Sequence, residues 1–262
     1  MSQALRIFVF GGHGRVALRF IERAIDQGHH IKTTIRDSSQ TKDFPSKTET
    51  IVDSIEDHDS AHFASVLKEY NPHVVLFAAG AGGKGGAERT KKVDEEGAIK
   101  VFDAIESSGL GSSANFRRLL LISAVDSRNF DDDSTIPSWY GEKDKATSKR
   151  MRDALGAYMV AKYNADKNLS SRTKFPWFVL RPSTLNDDAG TGIVKLGLQE
   201  TISIGIPRDD VASTLLAVAE LPKGQADGLM LDLTGVEGEA GGSPINEAVQ
   251  AAAQRGRTDW TG

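Results

Sequence analysis

The most constraining feature of this chain is its opening. Leu5 to Phe10, LRIFVF, is a short apolar run rich in branched and aromatic side chains, and it stops abruptly at Gly11-Gly12-His13-Gly14. A buried parallel strand has this look. Arg15 to Gln27 then carries Val16, Phe20 and Ile25 among its apolar positions and ends at Gly28, the mark of an amphipathic helix with a glycine stop. Strand, glycine turn and helix together leave helix-end N–H groups aimed at a backbone without obstructing Cβ atoms. Anionic oxygens, above all the diphosphate of a dinucleotide, fit such a place. Gly11, Gly12, His13, Gly14, Arg15 and Val16 are therefore the expected cofactor cradle, with Ala17 small enough for close packing of helix on strand.

The alternation continues along the chain. Strands are expected at His30 to Arg36, Glu49 to Val52, Val74 to Gly80, Arg118 to Ser123, Trp177 to Arg181 and Leu229 to Thr234. Between them, helical spacing runs over Ala61 to Glu69, Asp94 to Ser107, Met151 to Leu169, Asp209 to Glu220 and Pro244 to Gln254, and Gly80 to Gly86 is a loop. This order predicts an α/β fold with a doubly wound, mostly parallel sheet, a Rossmann fold, over 1–262 as one domain. The part from about 182 to 254 is expected to contribute the substrate pocket.

Composition narrows the class. A net charge of -4, with Lys and Arg scattered, gives no footprint for nucleic acid or anionic lipid. The absence of cysteine excludes disulfides, thiolate catalysis and zinc ribbons, and suits the cytoplasm. No stretch approaches the roughly 18 apolar residues of a membrane span. The six histidines lack a spacing such as H-E-x-x-H, so no metal site is expected.

The residue that ends the second strand discriminates between cofactors. A carboxylate there bonds a ribose 2′-OH, whereas an arginine accepts a 2′-phosphate. Arg36 stands 22 positions beyond Gly14, with Lys42 on the following loop, and NADP(H) is favoured over NAD(H). Asp37 would reverse the preference if the strand ended one residue later. Asp53 and Ser54 follow the third strand, where a polar side chain can meet the adenine, although Asp53 could equally be a helix cap. Ala78, Ala79 and Gly80 end the fourth strand with small side chains that let a cofactor pass close by.

Several stretches, GGHGRVA, LFAAGAGGKGG, VDEEGAIKVFDA, LLLISAVDS, YMVAKYNADKNL, FVLRPSTLNDDAGTG and PRDDVASTLLAV among them, resemble the atypical short-chain dehydrogenase/reductases. The likeness is to the NAD(P)-binding branch related to NmrA-like proteins and flavin or biliverdin reductases. It implies a tyrosine acid/base, a lysine four residues on that also holds the nicotinamide ribose, and a serine that bonds the substrate oxygen. Tyr158, Lys162 and Ser123 match those positions, and the backbone at Pro182 and Ser183 would pass the nicotinamide carboxamide. Tyr163 and Lys167 repeat the same spacing, so spacing alone does not choose between the pairs. Ser123 and Tyr158 are 35 positions apart, farther than the family usually shows, and the polar segment Asp126 to Thr147 between them is either a substrate lid or a surface loop.

Three functions follow as expectations: an NADP(H)-dependent oxidoreductase acting on a small carbonyl or enone, a non-catalytic NADP(H)-sensing regulator, or an epimerase, isomerase or dehydratase on the same scaffold. The partner expected is a small-molecule substrate, and no apolar stripe announces a homo-oligomer.

Overall fold

The computed structural model describes residues 3–198, 200–237 and 241–260. Seven strands run parallel: β1 (Arg6–Phe10), β2 (His30–Ile35), β3 (Glu49–Val52), β4 (Val74–Phe77), β5 (Arg118–Ile122), β6 (Trp177–Pro182) and, late in the chain, β10 (Leu229–Thr234). They lie in the order β3-β2-β1-β4-β5-β6-β10. Between β1 and β4 the winding reverses, and crossovers leave the sheet to opposite faces. That reversal opens a crevice at the carboxyl ends of these strands.

The helices cover both faces, as the nearly uninterrupted apolar strands require. On one face α1 (Arg15–Asp26) packs on α6 (Arg208–Glu220), and α6 on α7 (Ile245–Arg255), around Phe20, Ile21, Leu215, Leu216 and Val249. On the other, α2 (Ser60–Tyr70) packs on α4 (Gly97–Ser107), and α4 on α5 (Glu142–Ser170), around Phe63, Leu67, Phe102, Ile105 and Leu169. The short α3 (Gly86–Thr90) continues through a π-helical turn, Lys91–Glu96, into α4.

Four departures from the sequence reading concern extent and additional elements. The helical stretch expected from Asp94 begins at Gly86, so Gly86 opens a helix rather than closing a loop. Helix α5 begins at Glu142, nine residues before the expected Met151, and contains a kink at Leu155 (φ -130°, ψ 23°). Two short strands, β8 (Ile193–Leu196) and β11 (Ser243–Pro244), extend the sheet antiparallel beyond β10, and a separate parallel pair joins β7 (Leu185–Asn186) to β9 (Ile206–Pro207). The segment 126–147 is neither a free lid nor a bare surface loop. Tyr140 is buried against Val125 and Ile202, and its hydroxyl donates to Asp126 Oδ1 at 3.0 Å.

One charge holds the end of the sheet opposite the crevice. Arg118, at the start of β5, is fully buried, and its guanidinium donates to the carbonyls of Val218 (3.0 Å), Leu221 (3.4 Å) and Pro222 (2.6 Å). These carbonyls lie in and just beyond the last turn of α6, where a cation is favoured by the helix dipole. Arg118→Ala leaves three acceptors and the nearby Asp227 without this partner, and we expect a loss of about 3–5 kcal/mol in a urea unfolding titration. Arg118→Lys recovers only part of it, because an ammonium cannot span the same fork of carbonyls.

Candidate active site

The crevice at the β1/β4 reversal is a cavity of about 530 Å³, within the size range of small-molecule and cofactor sites. Its floor is the glycine turn. Gly11 has φ +80°, and a Cβ there would stand 2.5 Å from Ala79 Cα, so the two strand ends approach as only glycine permits. Gly14 precedes α1 with no side chain capping the helix and no acidic residue in its first turn. Gly11, His13, Gly14, Arg15, Val16 and Ala17 line the cavity. A helix end left open by its own side chains, above a turn without Cβ atoms, fits a diphosphate.

Of the other expected cofactor residues, Arg36, Asp53, Ser54, Ala78, Ala79, Gly80 and Lys162 line the cavity, while Gly12, Pro182 and Ser183 do not. Gly12 serves packing: a Cβ there would fall 2.0 Å from Thr33 Oγ1, and its N–H donates to Thr34 O. Ser183 is buried with its hydroxyl donating to Ile204 O, and Pro182 O accepts from Val125 N. Just after β2, Arg36 faces the cavity, whereas Asp37 turns away to cap the 3-10 turn Ser38–Asp43, accepting from Ser39 N at 2.8 Å. Those hydrogen bonds hold the Asp37 carboxyl below its ordinary range. Lys42 is not among the lining residues.

The two tyrosine–lysine pairs separate cleanly in space. Tyr158 and Lys162 line the cavity, while Tyr163 and Lys167 do not. Instead, Tyr163 lies beside Trp260, with the two ring centroids 6.4 Å apart. Lys162 is 4% exposed, donates to Ile122 O at 3.0 Å, stands 3.4 Å from Asp94 Oδ1 and lies 5.4 Å from the Tyr158 ring. Burial opposes the ammonium, but Tyr158, Asp94 and Asp166 together outweigh it and raise the Lys162 pKa. Burial likewise raises the phenol of Tyr158, and Lys162 opposes that rise without cancelling it. Tyr158 therefore carries its proton at neutral pH, which is the state of a proton donor.

Ser123 takes a different place from the one the resemblance implies. Its hydroxyl donates to Asp166 Oδ2 at 2.6 Å, beside a second donor, Ser127 Oγ at 2.5 Å, and Ser123 is not among the lining residues. With its single proton committed to a buried carboxylate, it has none to offer a substrate oxygen. Asp166 lies one turn beyond Lys162 on α5, so Tyr158, Lys162 and Asp166 form a row at i, i+4 and i+8.

The sequence reading singled out none of Asp94, Glu56, Arg89, Lys84, Leu185 or Arg208, all of which line the cavity. Asp94 projects from the π-helical turn and accepts from Ala81 N at 2.9 Å, fixing the glycine-rich loop after β4. A π turn inside a helix often marks a functional site, but i→i+5 bonding leaves no composition signature. Arg89 pairs with Glu56 at 2.6 Å across the mouth of the cavity, a contact 33 residues long in sequence.

Comparison with known proteins agrees with this geometry. The family described as NAD(P)H-binding matches residues 11–222. The chain belongs to this NAD(P)H-binding family. It is 39% identical to a UPF0659 protein of Schizosaccharomyces pombe, with 97% of each chain covered. It is 27% identical to the uncharacterized sugar epimerase YhfK of Bacillus subtilis, over 94% of this chain and 99% of that one. Among solved structures, a putative NAD-dependent epimerase/dehydratase from Bacillus halodurans superposes with a TM-score of 0.70 at 25% identity, covering 95% of this chain and all of the other. Family and fold agree with the resemblance to the atypical short-chain dehydrogenase/reductases.

Behind the row of Tyr158, Lys162 and Asp166 lies a buried acidic layer. Asp232 on β10 is 7% exposed, 3.3 Å from Arg181 Nε, and faces Asp259, Asp126 and Asp166. Burial, together with these acids, pushes its carboxyl up to about 6 against the opposing pull of Arg181. A carboxyl raised in the folded state contributes stability below its unfolded value of 3.8 and loses it as pH climbs through about 6. We expect Asp232→Asn to gain stability relative to wild type as pH rises from 4 to 7, read as diverging urea midpoints; parallel midpoints would show that Asp232 ionises freely.

Proposed function

We propose that this protein is an NADP(H)-dependent oxidoreductase that reduces a small carbonyl or enone, with Tyr158 as proton donor and Lys162 as its electrostatic partner. The observation that carries the reading is the selection of one tyrosine–lysine pair of two: Tyr158 and Lys162 meet at the wall of the dinucleotide cavity, beyond the end of β5. When bound, the nicotinamide supplies hydride to an acceptor carbon. The charge that gathers on the acceptor oxygen then takes a proton from the Tyr158 hydroxyl, and the buried Lys162 ammonium stabilises the phenolate left behind. Asp94 and Ile122 O keep the ammonium in place. Ser123 works at one remove, by orienting Asp166 behind Lys162.

Arg36 at the end of β2, with Asp37 engaged in its own turn, supports NADP(H) as the preferred form. The lack of cysteine and of any helix, among the described residues, long and apolar enough to cross a membrane supports a cytoplasmic protein. The relative named as a sugar epimerase favours a second reading, in which the hydride returns to the same substrate and no net NADPH is consumed. Product analysis separates the two.

Tyr158→Phe lowers kcat for NADPH-dependent carbonyl reduction by about 10²–10⁴-fold with little change in NADPH affinity, in stopped-flow or steady-state assays over a carbonyl panel. Equal rates in wild type and variant remove the tyrosine from the mechanism. Arg36→Ala weakens NADP⁺ by about tenfold or more in calorimetric titration and leaves NAD⁺ unchanged, since only the former carries the 2′-phosphate. A uniform loss for both nucleotides assigns Arg36 no part in the choice.

A further inference from the structure

Beside the adenine end of the cavity the chain gathers three side chains that the proposed reaction does not use together. Asp53 directly follows β3, His58 lies in the connection to α2, and His62 is in the first turn of α2. Their donor atoms all fall within 4.8 Å of one another. His62 Nε2 is 2.7 Å from Asp53 Oδ2, and His58 Nε2 is 3.4 Å from Oδ1. The two imidazoles stack with centroids 4.0 Å apart and planes at 19°, so both Nε2 atoms converge on one carboxylate.

The carboxylate is short of a donor on one of its two oxygens. The Asp53 side chain is 6% exposed, yet its Oδ1 has no hydrogen-bond partner. A buried orphan carboxylate oxygen is costly, and a cation is one way to satisfy it. Asp59 caps α2 through its own side chain, accepting from His62 N at 2.9 Å, so Asp53 is not needed as the helix cap. The backbone at both ends of the triplet is thus fixed, by this cap and by the bond from Asp53 N to Ile35 O.

We propose that Asp53, His58 and His62 form a binding site for a divalent first-row transition ion of the zinc type. Two imidazole nitrogens and one carboxylate oxygen are the ligand set of an open tetrahedral zinc site. Zinc bonds of about 2.0–2.2 Å set neighbouring donors roughly 3.3 Å apart; the His58–Asp53 pair at 3.4 Å already has that spacing, and the His62–Asp53 pair at 2.7 Å is shorter. Both histidine side chains are more than a third exposed and can relax outward by the roughly 0.6 Å that the shorter pair needs. Hard ions such as magnesium prefer all-oxygen shells and are disfavoured by the two nitrogens. Because Asp53 also lines the cavity, the fourth position opens towards the place of the adenine. The bound ion pins the end of β3 to the start of α2 and fixes that wall of the cofactor cleft.

The test uses the full chain, stripped with chelator and free of nucleotide, titrated calorimetrically with Zn²⁺ and followed spectroscopically with Co²⁺. The expected result is one equivalent of Zn²⁺ bound in the micromolar range or tighter, tetrahedral Co²⁺ absorption in the visible, and a metal-dependent rise in Tm by mass action. His58→Ala at an exposed position and His62→Ala at a half-buried one each weaken binding by about 100-fold or more and abolish the Co²⁺ spectrum, with unchanged far-UV circular dichroism. Absence of stoichiometric binding in wild type, or a double variant that binds as wild type does, overturns the proposal. The titration needs no nucleotide and no turnover, so failure of the NADP(H) reading would leave its outcome intact.

Discussion

A lysine ammonium enclosed by protein must be surrounded by acceptors, and this need organises the centre of the molecule. Lys162 reaches the sheet at Ile122 O and the opposite wall at Asp94, and Asp94 in turn holds the backbone of Ala81. One buried charge thereby connects α5, the end of β5, the π-helical turn and the glycine-rich loop after β4. Desolvation of such a charge costs several kcal/mol, and only the convergence of these acceptors offsets it. The same convergence places Tyr158 over the cleft, because it sits one turn before Lys162 on the same helix face.

The surrounding charges fall into two groups with different work. Towards the cavity, Asp187 gathers Arg15 (2.6 Å), Arg19 (3.6 Å) and Arg208 (3.0 Å), tying the loop after β7 to the start of α1 and to the start of α6. These partners are partly exposed, so their value lies in positioning more than in stability. Away from the cavity, Asp166 and Asp232 face Arg181 and Asp126 pairs with Arg128 in a buried layer, with Ser123, Ser127 and Tyr140 supplying hydroxyl donors. This layer fixes the segment 126–147 against α5, which is why a polar, loop-like sequence is packed rather than free. Asp144 adds a third anchor: Thr201, Ile202 N and Ser203 donate to it, and these bonds hold its carboxyl below the usual range despite burial.

Local patterns made the frame readable. Six branched or aromatic residues followed by glycines, repeated alternation with amphipathic helices, and small residues after Phe77 are consequences of burial on both faces of a parallel sheet, and all seven parallel strands were legible from them. The antiparallel strands β8 and β11 were not, because each is two to four residues long and owes its conformation to neighbours far away in sequence. The first nine residues of α5 were hidden for a related reason. Glu142 to Arg150 lacks an apolar stripe, and what holds it is Asp144 bonding to 201–203 and Arg128 donating to Ser148. Within the site, the glycine turn, Arg36, Tyr158 and Lys162 carried recognisable spacing, whereas Asp94, Arg89 and Leu185 carried none.

By itself the sequence determined the Rossmann frame, a glycine turn of the kind that suits a diphosphate and a short set of residues with the spacing of a proton-transfer pair, since each depends on the chemistry of residues adjacent or one helical turn apart. The tertiary structure alone decided which tyrosine–lysine pair meets the cleft, turned Asp37 away and Arg36 inward, withdrew Ser123 to Asp166, and brought His58 and His62 against Asp53. Those outcomes depend on where strand ends and helix faces arrive after packing. Residues tens of positions apart become neighbours there through burial and pairing of charge, which no local pattern encodes.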